Sequence, residues 1–197
     1  MMLAKAEFDN THGTPVATEH LLDIMAMFKT ETDTAGIVDV YNLLAETEGK
    51  KGNFVKSAEY LLELLKIATA RGDKKGMVAA YINLGSINDD NRNYDKALEY
   101  YSKAGQLSEQ YPLVDNNIKL YNNLFTHYYA LHDTANALKY IDKAISLSNN
   151  PNFTLQHIKL IMNRGNILVD IGRKDEGLNY LKYALSLLRN NSFPNQE

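Results

Sequence analysis

The stretch Met77–Leu107, MVAAYINLGSINDDNRNYDKALEYYSKAGQL, decides the fold. Apolar or small side chains at Met77, Ala80, Tyr81, Leu84, Gly85 and Ile87 follow the three-and-four spacing of one helix face. A polar break from Asn88 to Asn93 interrupts them, and Tyr94, Ala97, Leu98, Tyr101, Ala104 and Leu107 then resume the spacing. The pattern predicts helix, turn, helix.

Outward from this stretch the pattern recurs every 40 residues. Tyr41, Tyr81 and Tyr121 are one such series; Leu44, Leu84 and Leu124 are another, as are Ala104, Ala144 and Ala184. A fixed period of this size marks one supersecondary unit used repeatedly, each copy burying its apolar face against the next. The expected fold is therefore all-α, an α-solenoid of about five antiparallel helix pairs. Its units span about 1–37 (truncated), 38–77, 78–117, 118–157 and 158–197 of a single domain covering 1–197.

Punctuation falls at fixed phases. Asn53, Asn93 and Asp133 each precede a helical run, where a short side-chain oxygen can accept from an orphan backbone N–H. Thr14 followed by Pro15 gives the first unit its start signal, and Pro112 and Pro151 fall after second helices. Ala17, Ser57, Ala97, Ala137 and Gly177 share one phase and are all small, so a helix pair is expected to cross closely there. Bulk then comes from neighbouring phases: Tyr41, Tyr81, Tyr121 and Ile161 on first helices, Leu61, Tyr101, Ile141 and Leu181 on second helices.

Composition narrows the function classes. The 197 residues are 45% hydrophobic with a formal charge of -3, ordinary globular material. No apolar run reaches the roughly 18 residues of a membrane span, and the N-terminus lacks the pattern of a secretory signal. The 21 Lys and Arg residues are scattered among 24 acidic ones, which argues against direct nucleic-acid binding. The absence of cysteine removes disulfides, thiolate catalysis and thiolate metal sites. The expected compartment is cytoplasmic if Met1 is the true start, and a periplasmic location stays open if the sequence is a fragment.

Tyr81, Leu84, Gly85, Tyr94, Ala97, Tyr101 and Ala104 stand at the spacing of the tetratricopeptide repeat signature, and the chain resembles that family. The fourth unit keeps Tyr121, Leu124, Tyr128, Ala137 and Ala144 but has Phe125 where glycine is usual; the fifth keeps Gly165, Gly177 and Ala184 but has Arg164 where leucine is expected. The period of 40 is longer than the common repeat and is similar to units in bacterial signalling proteins, among them sensor kinases and transcription regulators. The resemblance implies a right-handed superhelix and a role in binding proteins or peptides. By phase, Met1 corresponds to Tyr41, and Leu178, Leu181, Leu185, Leu187 and Leu188 leave the last helix apolar. These features lead us to expect a segment of a longer protein, with a homodimer covering those leucines as the alternative.

Chemical motifs are sparse. His12, His20, His127, His132 and His157 show no metal-binding spacing. Asp89, Asn91 and Asn93 begin like a calcium loop, yet Tyr94 and Tyr100 stand where glycine and glutamate are required, so an inter-helix turn is expected. Asn152–Thr154 and Asn190–Ser192 match the glycosylation acceptor by composition alone. No nucleophile–base set or phosphate loop is recognisable, so neither an enzyme nor a cofactor is expected.

One constellation stands out. Asn83, Asn123 and Asn163 occupy one phase of three successive first helices, a ladder that Leu43 breaks in the second unit. The family resemblance implies that asparagines at this phase hold an extended peptide by its backbone, since an amide offers donor and acceptor together. Lys119 and Lys159 lie four residues before two of them, where they could meet a carboxylate, and Ser86, Thr126 and Asn166 continue the face. Asp39, Glu46 and Asp90 give the earlier part of the wall the opposite sign, which would orient a dipolar peptide. The expected function is a non-enzymatic protein- or peptide-binding scaffold; the alternative is the input domain of a signalling protein.

Overall fold

The computed structural model describes residues 18–30, 33–111 and 113–190. The Thr14–Pro15 signal, His12, Ala17, Pro112 and the end of the Asn190–Ser192 acceptor lie outside the described residues. The chain divides into two compact units, Met1–Tyr111 and Pro112–Glu197. Unit 1 contains α1 (Thr18–Thr30), α2 (Thr34–Lys50), α3 (Phe54–Ala70), α4 (Lys74–Asp90) and α5 (Tyr94–Ser108). Unit 2 contains α6 (Val114–Ala130), α7 (Thr134–Ser148), a 3-10 turn (Pro151–Phe153), α8 (Thr154–Asp170) and α9 (Lys174–Asn190). Within each unit every helix packs on its sequence neighbours, and no strand occurs among the described residues. The expected all-α helical-repeat fold is the observed one.

The polar break of the third repeat is shorter than its sequence suggests. α4 continues through Asn88 to Asp90, because the Asn88 side chain is buried and its Nδ2 donates to the Leu84 carbonyl at 2.7 Å. The turn that follows is set by one left-handed residue per repeat: Gly52 (φ 78°), Arg92 (59°), His132 (58°) and Gly172 (86°). The next backbone N–H then reaches back to the helix, as in Asn93 N to Asn88 O at 2.7 Å, closing the helix end. Asn53, Asn93 and Asp133 do occupy N-cap positions, but only the Asp133 side chain accepts a cap bond, from Asn136 N at 3.1 Å. The first helices α2 and α4 carry caps that the 40-residue comparison overlooked: Asp33 accepts from Ala35 N and Gly36 N, and Asp73 from Gly76 N.

Packing within each hairpin is decided at the small phase. Ser57, Ala97, Ala137 and Gly177 are all buried, and the Ser57 hydroxyl donates to the Ala45 carbonyl across the crossing at 2.7 Å. At Gly177 an added methyl would lie 2.6 Å from the Gly165 carbonyl oxygen, so backbone meets backbone. The facing phase differs from hairpin to hairpin. Ala45 shares a core cluster with Leu61. Gly85 lies under the ring of Tyr101, whose hydroxyl donates to Asp89 Oδ2 at 2.9 Å. Phe125, where the family has glycine, packs in one cluster with Ile141, and its ring lies 5.9 Å from that of Tyr129. Gly165 abuts Leu181, which remains half-buried.

A tyrosine series escaped the sequence comparison. Tyr60, Tyr100 and Tyr140 lie against Tyr41, Tyr81 and Tyr121 with ring centroids 6.1, 6.4 and 6.1 Å apart. In the last hairpin Ile161 replaces the first-helix tyrosine, and the Arg164 guanidinium sits 4.2 Å from the centroid of Tyr180 while pairing with Asp142. The departure from leucine at Arg164 is thus absorbed by a stacked ion pair.

One carboxylate is buried in unit 1. Glu48 is 2% exposed; Thr18 donates to its Oε1 at 2.6 Å, Lys51 to the same oxygen at 3.0 Å, and Asn53 to Oε2 at 2.7 Å. It therefore ties the start of α1 to the α2–α3 turn. Hydrogen bonding, first from Thr18 and then from Asn53 and Lys51, outweighs burial and lowers its pKa from 4.5 to about 2.

Two predictions follow from this packing. Gly85→Ala should destabilise the protein by about 1–3 kcal/mol through overlap with the Tyr101 ring. Adding Tyr101→Leu, which recreates the Ala45–Leu61 pair of the preceding hairpin, should recover part of that loss; chemical denaturation of both single variants and the double variant measures the coupling. For Glu48 the folded pKa is the lower one, so its contribution is complete above about pH 4.5 and disappears as pH falls towards about 2. Glu48→Gln should cost on the order of 2–3 kcal/mol at neutral pH and flatten the acid limb of the stability profile, read from melting at a series of pH values.

Candidate functional site

Each unit has a groove between two first-position helices. In unit 1 the groove has a volume of about 440 Å³ and lies between α2 and α4. Asn42, Glu46, Gly49 and Lys50 supply one wall, Asn83, Ser86, Ile87 and Asp90 the other, with Ser57 and Leu61 of α3 beneath. The wall residues fall at three-and-four spacing, so one stripe of each helix faces the groove. Glu46 and Lys50 on α2 stand at the same repeat phases as Ser86 and Asp90 on α4, so the C-terminal parts of both helices line the groove.

Charge in this groove is uneven. Glu46 Oε1 pairs with Lys50 Nζ at 2.8 Å, one turn along α2. The Asp90 carboxyl is held above the usual carboxylate range, chiefly by partial burial and then by the neighbouring Asp89. Asp39, further up α2, is shifted the same way by burial and by Asp33.

In unit 2 the groove has a volume of about 600 Å³ between α6 and α8. Phe125, Thr126 and Tyr129 face Asn163, Asn166, Val169 and Asp170, and Leu178 and Leu181 of α9 add an apolar floor. Its acid is engaged: Tyr129 Oη donates to Asp170 Oδ2 at 2.5 Å. That bond is the largest cause of the raised Tyr129 pKa, ahead of burial and the Asp170 charge.

The sequence-predicted site residues divide between these surfaces. Asn83 and Ser86 line the unit 1 groove, and Asn163, Asn166 and Thr126 line the unit 2 groove. Asn123 is half-buried on α6, and Lys119 and Lys159 are exposed on α6 and α8. Leu43, at the ladder phase in the second repeat, is buried with Leu21 and Ile24 of α1. The sequence comparison missed Asn42, Lys50, Tyr129 and Asp170. Asp170 was open to detection, since it recurs with Asp90 at two repeat periods. Asn42 was not, because it sits one residue away from the asparagine phase.

The histidines hold unrelated positions. His127 is buried and its ring meets Tyr128 edge-on at 5.1 Å. His157 Nδ1 lies 2.8 Å from Ser148 Oγ, with its pKa lowered mainly by burial, and His132 supplies a left-handed turn. Among the described residues no three His, Asp or Glu side chains gather as a metal site would require, and no helix is long and apolar enough to cross a membrane.

Part of the chain matches a known family model. Residues 36–110 match the tetratricopeptide repeat model, whereas no curated protein matches the chain. Among solved structures, the chain is similar to BtubC (BKLC) from P. vanneervenii, with 18% identity, a TM-score of 0.69, and coverage of 100% of this chain and 91% of that one. It is also similar to the apo form of RapI, with 14% identity, a TM-score of 0.70, and coverage of 96% and 66%. A third similar structure is PH0952 from Pyrococcus horikoshii, a signal transduction ATPase with a tetratricopeptide repeat sensor. Here identity is 17%, the TM-score is 0.76, and the match covers 98% of this chain and 30% of that one. At these identities the likeness is one of fold. Residues 36–110 match tetratricopeptide repeats, and the chain shares the helical-repeat fold of these structures.

Proposed function

We propose that this protein is a non-enzymatic binding scaffold that holds an extended peptide segment of a partner protein in the grooves between its first-position helices. The tetratricopeptide fold is generally a scaffold for protein interaction. The observation that carries the reading is the clustering of side-chain amides on groove walls: Asn42 and Asn83 in unit 1, Asn163 and Asn166 in unit 2. An amide donates and accepts at once, matching a peptide unit, and such groups outside the core add little to stability. Lys119 and Lys159, exposed beside the asparagine phase, are suited to acidic groups on the partner. Asn123 belongs to the same amide series. We read the five repeats as one solenoid domain, since the 40-residue register continues from unit 1 into unit 2.

A second reading is the input module of a signalling protein. Its support is the likeness to PH0952, which carries a tetratricopeptide repeat sensor and of which this chain spans 30%. Self-association through α9 is supported by Leu178, Tyr183 and Leu185, all exposed.

The scaffold reading is tested with peptides selected by display on the whole chain. Asn123→Ala combined with Asn163→Ala should weaken them about thirtyfold, on the order of one kcal/mol per lost amide. The melting temperature should hardly move. A large fall in stability with unchanged affinity would assign these asparagines to structure instead.

A further inference from the structure

We infer that the unit 1 groove receives a basic side chain, lysine or arginine, of the bound peptide segment, with Asp90 as its acceptor. The inference rests on the peptide-binding reading above and supplies the chemistry of the partner. It comes from two positions that are equivalent in the repeat register. In unit 2, Tyr129 donates to Asp170 across the groove. Two repeat periods earlier stand Gly49 and Asp90, and both line the groove of unit 1. The acid is kept while its hydroxyl donor is gone. Glycine stands where unit 2 has the tyrosine, the Ile87 side chain covers it with Cδ1 2.9 Å from where a Cβ would lie, and the Asp90 carboxylate has no hydrogen-bond or ion-pair partner among the described residues. A ligand donor can take the place of the missing hydroxyl.

Charge selects a cationic donor. Glu46 and Asp90 face the groove against one cation, Lys50, which already pairs with Glu46. α2 ends at Lys50 and α4 at Asp90, so the negative ends of two helix dipoles add to the excess at that end. A charge-assisted bond to a carboxylate is roughly twice as strong as a neutral one. The aliphatic stem of a lysine or arginine suits the rest of the groove, where Leu61 and Ile87 are apolar. Asn42 and Asn83 are placed to take the adjoining backbone, as the amide series requires.

The test is a position-scanning library of acetylated hexapeptides bound to the whole chain. Lysine or arginine should be enriched about tenfold over glutamine at one position, with aspartate and glutamate depleted. Asp90→Asn should abolish that enrichment. Asp90→Glu should keep it, and the far-ultraviolet helix signal of both variants should match that of the parent. Lys66→Ala, on the exposed side of α3 away from the groove walls, should leave the enrichment intact. A consensus without a basic position, or a basic consensus that survives Asp90→Asn, would overturn the basic-side-chain assignment and leave peptide binding standing. A library from which no member is retained would end both.

Discussion

Ser57, Ala97, Ala137 and Gly177 hold the closest approach within each helical hairpin, and their smallness is the constraint on which both units depend. The facing phase differs from one hairpin to the next: glycine lies under Tyr101 and alanine beside Leu61. Close packing of this kind is settled locally: Phe125 packs in one cluster with Ile141, although Ile141 is no larger than Leu61 or Leu181. The same logic covers Arg164: a leucine is lost from the pattern, and the planar guanidinium recovers contact by stacking on Tyr180 and pairing with Asp142.

With hairpin spacing fixed by the core, residues on the open stripes of the first helices vary without threatening the fold. Phase equivalents show how far they diverge. Asn83 is exposed where Leu43 is buried under α1. Gly49 and Tyr129 occupy the same phase on the rims of two grooves, and the acid opposite is open in one case and hydrogen-bonded in the other. Repetition thus lines each groove from two first-position helices, while the floor, the volume and the side-chain chemistry differ. A scaffold that reads several parts of one partner needs both properties. Glu48 marks the opposite regime: its carboxylate is enclosed, satisfied by three donors and unavailable to any ligand, so its charge serves to anchor α1.

Sequence alone determined the helical-hairpin fold, because the recurrence of Tyr41, Tyr81 and Tyr121, of the alanines, and of the small phase reflects contacts that every repeat must make in the same way. It also marked Asn83, Asn163, Ser86, Thr126 and Asn166 as surface residues of the first helices, and these line the grooves. Tertiary structure decided what differs between copies. The length of α4 beyond Asn88, the enclosure of Glu48 and the pairing of Tyr129 with Asp170 all depend on partners that no fixed spacing specifies, whereas the caps at Asp33 and Asp73 stand one period apart and were open to the sequence. The physical reason is that periodicity records interactions shared by all repeats. A hydrogen bond made in one groove and missing from its equivalent leaves no period to read, and becomes visible only when two side chains 41 residues apart are brought together in space.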